Sequence, residues 1–317
     1  MEKGEWSEMI KYLSLFSGIG GFEYGIQQSK YGNKLECVGY SEVNFYADTI
    51  YRNRFPTHRK LGNVRRIDTG ELEDFELLVA GFPCQSFSNS GNKQGLDDTR
   101  GTLFYEIGRI LADKKPKHFL LENVQGLLWN KNGRTFNTIL GVLTQLGYIV
   151  SWEILDPRLF GIPQRRPRLF IKGVLGSECG FQIPVVRRYN EKTDTSINQE
   201  HLKINTDTSK GYKEAMIGDG VRVSRLSQKN GGRGRVQPSS VGTLMCNCNW
   251  GVVTDDLYVR KLTPVEYERL QGFPDDWTKY GVDGEIISDN QRYKCVGNAV
   301  NTKIITHIFN NWELVDG

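Results

Sequence analysis

The chain has 317 residues, 38% of them apolar and 25% charged, with a formal net charge of +4. That length suits one large domain with a smaller one beside it, and the composition is that of an ordinary globular protein rather than a disordered or fibrous one. No segment approaches the roughly 18 apolar residues of a membrane span, and the opening MEKGEWSEMIKY is too polar for a secretory signal.

Lys11 to Phe16 reads as a short buried strand running into the glycine-rich SGIGGF, with a helical pattern over Phe22 to Gln28. Leu35 to Tyr40 is a second strand, and Glu42 follows it. Phe45 to Phe55 reads as a helix, Phe75 to Ala80 as a strand, Leu103 to Leu111 as a helix, and His118 to Leu121 as a strand ending in Glu122. Thr135 to Leu146 is helical again, while Tyr148 to Leu155 and Leu169 to Val174 are extended. This alternation predicts an α/β fold with a mostly parallel sheet covered by helices.

After Gly176 the pattern stops. Between Arg187 and Arg235 eleven Lys or Arg stand against six Asp or Glu without sustained periodicity. Arg222, Arg225, Lys229, Arg233 and Arg235 lie in a stretch with no acid, among Gly231, Gly232 and Gly234. Such a run suits either a solvated face or close approach to a phosphate chain. Order resumes at Leu262, where Thr263 is placed as an N-cap, Pro264 at the first helical position and Glu266 at the capping-box position. Gly272 to Trp277 breaks that helix, and Asn301 to Trp312 reads as a terminal amphipathic helix.

Two places carry chemistry. The turn between the first strand and helix reads G-x-G-G at Gly18, Gly20 and Gly21, with an acid after the second strand. This is the logic of a nucleotide site, yet Glu23 stands where a dinucleotide fingerprint needs its third glycine. A cofactor with adenosine and no pyrophosphate fits better, which favours S-adenosylmethionine over a nicotinamide. The second place is Cys84, in GFPCQSFSNSG at the end of a strand, where open α/β sheets meet their ligands. The other cysteines, Cys37, Cys179, Cys246, Cys248 and Cys295, suit small buried hydrophobes. None has disulfide or zinc spacing, so reduced thiols and no metal are expected.

Seven blocks in order make the chain resemble the DNA (cytosine-5) methyltransferases: LFSGIGGF, GFPCQSFSNSG, DDTRGTLFYEIGRIL, LLENVQGL, GIPQRRPRLF, RKLTPVEYERLQGFPDDW and VGNAV. The resemblance implies a Rossmann-like catalytic domain over residues 1–175 with 286–317. It also implies a smaller, largely β target-recognition domain over 176–285, whose variable region is about 176–258. It implies Cys84 as the nucleophile on cytosine C6, with Gln85 beside it. Glu122 would act at N3, Asn123 would order the loop, and Arg166 and Arg168 would line the pocket, Arg168 toward O2. S-adenosylmethionine, leaving as S-adenosylhomocysteine, would meet Phe16, Ser17, Gly18, Gly20, Gly21, Glu42, Pro83 and Asn298. Asn63 stands where the family usually has Asp.

For duplex DNA the resemblance points to Ser90, Lys93, Arg100, Gln164, Arg222, Arg225, Arg233, Arg235 and Thr243, with the target base flipped from the stack. The expected setting is a prokaryotic cytoplasm. There a monomer would serve restriction-modification beside a separate endonuclease, or self-protection of a phage. The alternatives are a transfer-RNA methyltransferase of the same family, whose Cys-Phe-Thr element does not occur here, and a non-catalytic DNA-binding relative.

Overall fold

The computed structural model describes residues 9–83, 103–176, 202–205, 209–210, 212–222, 235–245 and 248–314. The chain forms two compact units. One comprises Met1–Leu155, Pro167–Pro184 and Ile304–Gly317, the other Asp156–Arg166 and Val185–Lys303.

In the first unit β1 (Ile10–Leu15), β2 (Leu35–Ser41), β3 (Leu77–Gly81), β4 (His118–Val124), β5 (Tyr148–Leu155) and β6 (Arg168–Leu175) make a six-stranded sheet ordered β2-β1-β3-β4-β6-β5. β1 pairs in parallel with β2 and β3, and β3 with β4; β6 runs antiparallel to both β4 and β5. The sheet is mostly parallel, as the alternating pattern requires. Its inner strands are near-continuous apolar runs because helices cover both faces, and Leu77 to Ala80 and Phe119 to Leu121 are fully buried. The connecting helices are α1 (Gly21–Gln27), α2 (Phe45–Arg54), α3 (Leu103–Lys114) and α4 (Arg134–Gln145). α3 buries Phe104, Ile107, Ile110 and Leu111, the three-and-four spacing of one helix face.

In the second unit β7 (Leu202–Asn205) pairs with β8 (Tyr212–Ala215). Strands β9 (Gly220–Arg222), β10 (Val236–Gln237), β11 (Trp250–Val253) and β12 (Val259–Lys261) form an antiparallel sheet ordered β10-β9-β11-β12. Ile204, Ala215, Val221, Val236 and Val253 make its small core. α5 (Pro264–Leu270) begins on the predicted capping box. The Glu266 N–H donates to Thr263 Oγ1 at 3.2 Å, and the Thr263 N–H donates to Glu266 Oε2 at 2.7 Å. α6 (Asp289–Asn298) was not legible in the sequence, since DNQRYKCVGN has no apolar stripe. It is held instead by buried Arg292, whose Nη2 lies 3.1 Å from Glu268 Oε1 on α5.

The last helix, α7 (Thr302–Asn310), returns the chain to the first unit. Thr306 Oγ1 donates to Gly25 O at 3.0 Å, and the Tyr31 hydroxyl donates to Trp312 O at 3.0 Å. Trp312 packs edge-on against the His118 ring, 5.6 Å between centroids. Burial holds His118 down at about 4, below its ordinary 6.5. Above 6.5 both folded and unfolded chains carry it neutral. As pH falls from 6.5 to 4 the unfolded chain gains the proton first, so stability drops there by about 2 to 3 kcal/mol. Urea unfolding at pH 7 and 4.5 should therefore show a smaller acid loss in His118→Phe than in the parent; an equal loss would refute it.

Candidate active site

Five strands, β1 to β5, run in one direction and present their carboxyl ends at one edge of the sheet, the edge where open α/β folds bind ligands. β6 runs the other way, so its amino end, with Arg168, reaches that same edge. In register, Val124 of β4 lies opposite Arg168 and Glu122 opposite Phe170.

At the end of β1 the backbone enters left-handed conformations at Phe16 (φ 55°), Gly18 (58°) and Gly20 (84°). A non-glycine residue in this region costs on the order of 1 kcal/mol or more, a strain that clusters at functional sites. Gly20 admits nothing larger, because a Cβ there would stand 2.2 Å from Phe55 Cε2. At Gly18 a Cβ would meet nothing within 4 Å, so the turn is open on that side. Ser17 is buried. Its Oγ accepts from Ser14 Oγ at 2.9 Å and its backbone N–H donates to Ser41 O at 3.1 Å, tying the ends of β1 and β2 together. Gly21 starts α1.

Glu42, just past β2, accepts the Gly18 N–H at 2.9 Å on one carboxylate oxygen and the Val43 and Asn44 N–H groups at 2.7 Å on the other. The acid therefore shapes both loops around it. Asn63 is exposed and caps a short 3-10 turn, accepting the Arg65 N–H at 3.1 Å. Pro83 is exposed beyond the end of β3.

Glu122 lies within β4 and not after it, since the strand continues to Val124. Its Oε1 is 3.1 Å from Arg168 Nε, with side-chain exposures of 14% and 12% respectively. The contact is diagonal across the β4/β6 ladder, the reach expected of long side chains on one face. On its other side is Gly81 of β3, where a Cβ would lie 3.5 Å from Glu122 Oε2. Buried Asn123 donates from Nδ2 to Phe82 O at 2.9 Å and accepts the Val124 N–H at 2.8 Å. One side chain thus joins the end of β4 to the chain leaving β3.

The two arginines of QRRPR part company. Arg168 belongs to the first unit and pairs with Glu122. Arg166 is buried in the second unit and donates to Leu244 O at 3.2 Å, Gly297 O at 2.9 Å and Ala299 O at 3.1 Å. Gln164, expected at the DNA, has 0% exposure and donates to Leu270 O at 2.9 Å. Both side chains donate to backbone carbonyls of the second unit, while Gln164 Oε1 has no hydrogen-bond partner among the described residues. Thr243 is half-buried, its hydroxyl donating to Arg165 O at 3.0 Å. Asn298 is exposed at the end of α6.

Arg222 closes β9 and donates its backbone N–H to Arg235 O at 2.9 Å, so these arginines stand opposite one another across the β9/β10 ladder. The Arg222 Nε is buried without a hydrogen-bond partner among the described residues. Cys84, Gln85, Ser90, Lys93, Arg100, Arg225 and Arg233 lie outside the described residues.

A family model for C-5 cytosine-specific DNA methylase matches residues 10–313. The chain belongs to that family. The methylase is 35% identical over 310 residues to the Type II methyltransferase M.NlaX of Neisseria lactamica, covering 95% of each chain. It is 38% identical to M.NgoBI of Neisseria gonorrhoeae, over 94% of this chain and 91% of the relative. Among solved structures it is similar to the Dnmt2 methyltransferase of S. pombe, with a TM-score of 0.67 at 20% identity over 95% of this chain and 97% of that one. This last likeness concerns the fold.

Sequence reasoning missed the support behind the glycine turn. Phe55 packs on Gly20, and the Tyr51 hydroxyl donates to buried Glu23 Oε1 at 3.0 Å. The signal was available in the aromatic spacing of Tyr51 in α2 and Phe55, the residue that ends it. Among the described residues no helix is long and apolar enough to cross a membrane, and no cluster of potential metal ligands occurs.

Proposed function

We propose that the methylase is the modification enzyme of a Type II restriction-modification system. It would flip a cytosine out of a short duplex site and methylate C5 through a covalent bond between Cys84 and C6. The observation carrying this reading is the Glu122–Arg168 pair, held beside Gly81 on the sheet edge that also bears the glycine turn. The full-length likeness to proteins named Type II methyltransferases supports the biological setting.

The donor set fits S-adenosylmethionine. Gly18 has room where a Cβ would stand, Glu42 places an acid at the end of β2 for ribose hydroxyls, and Glu23 occupies the position a pyrophosphate-binding glycine would need. Phe16, Ser17, Gly20, Gly21, Asn63, Pro83 and Asn298 complete the proposed set. When bound, this cofactor supplies an electrophilic methyl group.

Cytosine C5 is too weak a nucleophile to be methylated directly. The Cys84 thiolate would add to C6, forming an S–C bond while the electron pair of the C5–C6 double bond moves into the ring. Glu122 would meet the charge developing at N3 by hydrogen bond or proton, and Arg168 would balance it toward O2, as preorganised groups do where charge develops. C5 is then the nucleophile for methylation. Removal of the C5 proton by a base such as water restores the double bond and expels the thiolate. Gln85 and Asn123 would hold the loop that carries Cys84, and Arg166 would be a positioning residue in the second unit.

The second unit would read DNA through Arg225, Arg233 and Thr243, and Ser90, Lys93 and Arg100 would add backbone contacts. Two arginines directly opposite on neighbouring strands repel each other. A phosphate backbone would relieve both. Replacing Arg222 and Arg235 together by Ala should weaken duplex binding at every sequence and flatten its salt dependence by about one to two units of log K per log salt. Fluorescence titrations at several salt concentrations check this; an unchanged slope would count against it.

The activity itself is tested by expressing the chain in a host without cytosine methylation and sequencing its DNA for 5-methylcytosine. One short context should carry the mark. Labelled methyl groups found in transfer RNA, with none in DNA, would overturn the reading.

A further inference from the structure

Glu23 is a buried acid that the proposed chemistry leaves unused. It lies in the first turn of α1, two residues after the last glycine of the cofactor turn, and is 1% exposed. Its Oε1 accepts from the Tyr51 hydroxyl, while Oε2 has no hydrogen-bond partner among the described residues. No lysine or arginine pairs with it among those residues. An unpaired buried carboxylate is costly unless it stays neutral or meets a cation.

The groups around it are set by three elements. β1 supplies Ser14, whose hydroxyl donates to Ser17 Oγ, and Tyr12. β2 supplies Cys37, and α2 supplies Tyr51. Behind Tyr51 stands half-buried His58, with Nδ1 at 2.9 Å from the Tyr51 hydroxyl. Burial pushes Cys37 up to about 12, raises Tyr12 and Tyr51 well above their ordinary range, and holds His58 down at about 4. All four are neutral at pH 7. Glu23, pushed up to about 7 by burial, is the one member of the cluster poised to change charge there.

We propose that Glu23 is the counter-charge of the cofactor site, ionising when a sulfonium cation binds at the glycine turn and so favouring the methyl donor over its uncharged thioether product. The inference rests on the cofactor reading above. A cation brought near a low-dielectric carboxyl favours its ionised form, and by reciprocity the ionised form favours the cation. The uncharged product gains nothing from it. The hydrogen-bond chain gives the proton a way out. While Glu23 is protonated its O–H donates to the Tyr51 oxygen and the Tyr51 O–H donates to His58 Nδ1; on ionisation the Glu23 O–H bond breaks, Tyr51 takes that proton and passes its own to His58 Nδ1, His58 releases the Nε2 proton to water, and Tyr51 is left donating to Glu23 Oε1.

Calorimetric titration at pH 7, in two buffers of different ionisation enthalpy, counts the protons released on binding. S-adenosylmethionine should release up to about half a proton more than S-adenosylhomocysteine, because Glu23 is roughly half protonated there. The ratio of their dissociation constants should shift toward the donor between pH 6 and 8, about tenfold for each unit by which the cation lowers the Glu23 pKa. In Glu23→Gln both differences should vanish. Tyr51→Phe, which removes the donor to Oε1, should move the proton-release window to higher pH and serves should Glu23→Gln fail to fold. Equal proton counts for the two ligands, or a difference that persists in Glu23→Gln or stays in the same window in Tyr51→Phe, would overturn the proposal. If neither ligand binds, the cofactor reading itself falls.

Discussion

Cys84→Ser should abolish methylation, lowering kcat on the order of 10⁴-fold or more, while cofactor and duplex affinity stay within about twofold. The size of the effect follows from what the nucleophile must do. Without addition at C6, C5 holds too little electron density to be methylated. A thiol titrates near ~8.5 and gives up its proton readily to a site that favours the anion. A serine hydroxyl holds its proton far more tightly, so the same site cannot make it a comparable nucleophile.

The described thiols do not offer a replacement. Cys37 is pushed up to about 12 by burial and donates to Gly39 O at 3.3 Å. Cys248 and Cys295 are buried, and burial raises the Cys248 thiol as well. Burial disfavours the thiolate at Cys37 and Cys248. The proposed adduct would also be trappable, because a C5 fluorine cannot leave as a proton and would block expulsion of Cys84. Duplex carrying 5-fluorocytosine should therefore give a denaturation-resistant complex with the parent and none with Cys84→Ser. Full methylation by the serine variant, or trapping through it, would refute the covalent route.

The sheet was legible because β1, β3 and β4 are apolar runs of strand length, separated by helices whose spacing shows one buried face. The α5 cap was legible too, since Thr263, Pro264 and Glu266 act over one turn. α6 escaped because a buried Arg292–Glu268 pair holds it, and charged pairing between distant residues leaves no periodic trace. The sequence likewise placed Arg166 and Arg168 together, being two residues apart. The fold sends one to backbone carbonyls and the other to Glu122, a difference fixed by the start of β6 between them. The family motifs supply the residue types proposed for the site. They could not tell which residues face a ligand and which, like Gln164, are enclosed.

Glu122→Gln carries the second large expected effect, a fall in kcat of about 10² to 10³ with little change in duplex binding. The amide preserves shape beside Gly81 and can still donate a hydrogen bond to N3, but it cannot hand over a proton or match the Arg168 charge. Binding and charge stabilisation are thereby separated. Some stability should also be lost, since removing one member of a largely buried ion pair leaves the other uncompensated, at about 3 kcal/mol for a fully buried case and less at 12 to 14% exposure. Urea unfolding monitors that part, and single-turnover methylation at saturating cofactor isolates the chemical step. Arg168→Gln tests the pair from the other side. If both groups act on one developing charge, the double variant should lose far less than the product of the two single losses. Strictly multiplicative losses would mean that Glu122 and Arg168 act on separate steps, and the shared ring-charge role would have to be abandoned.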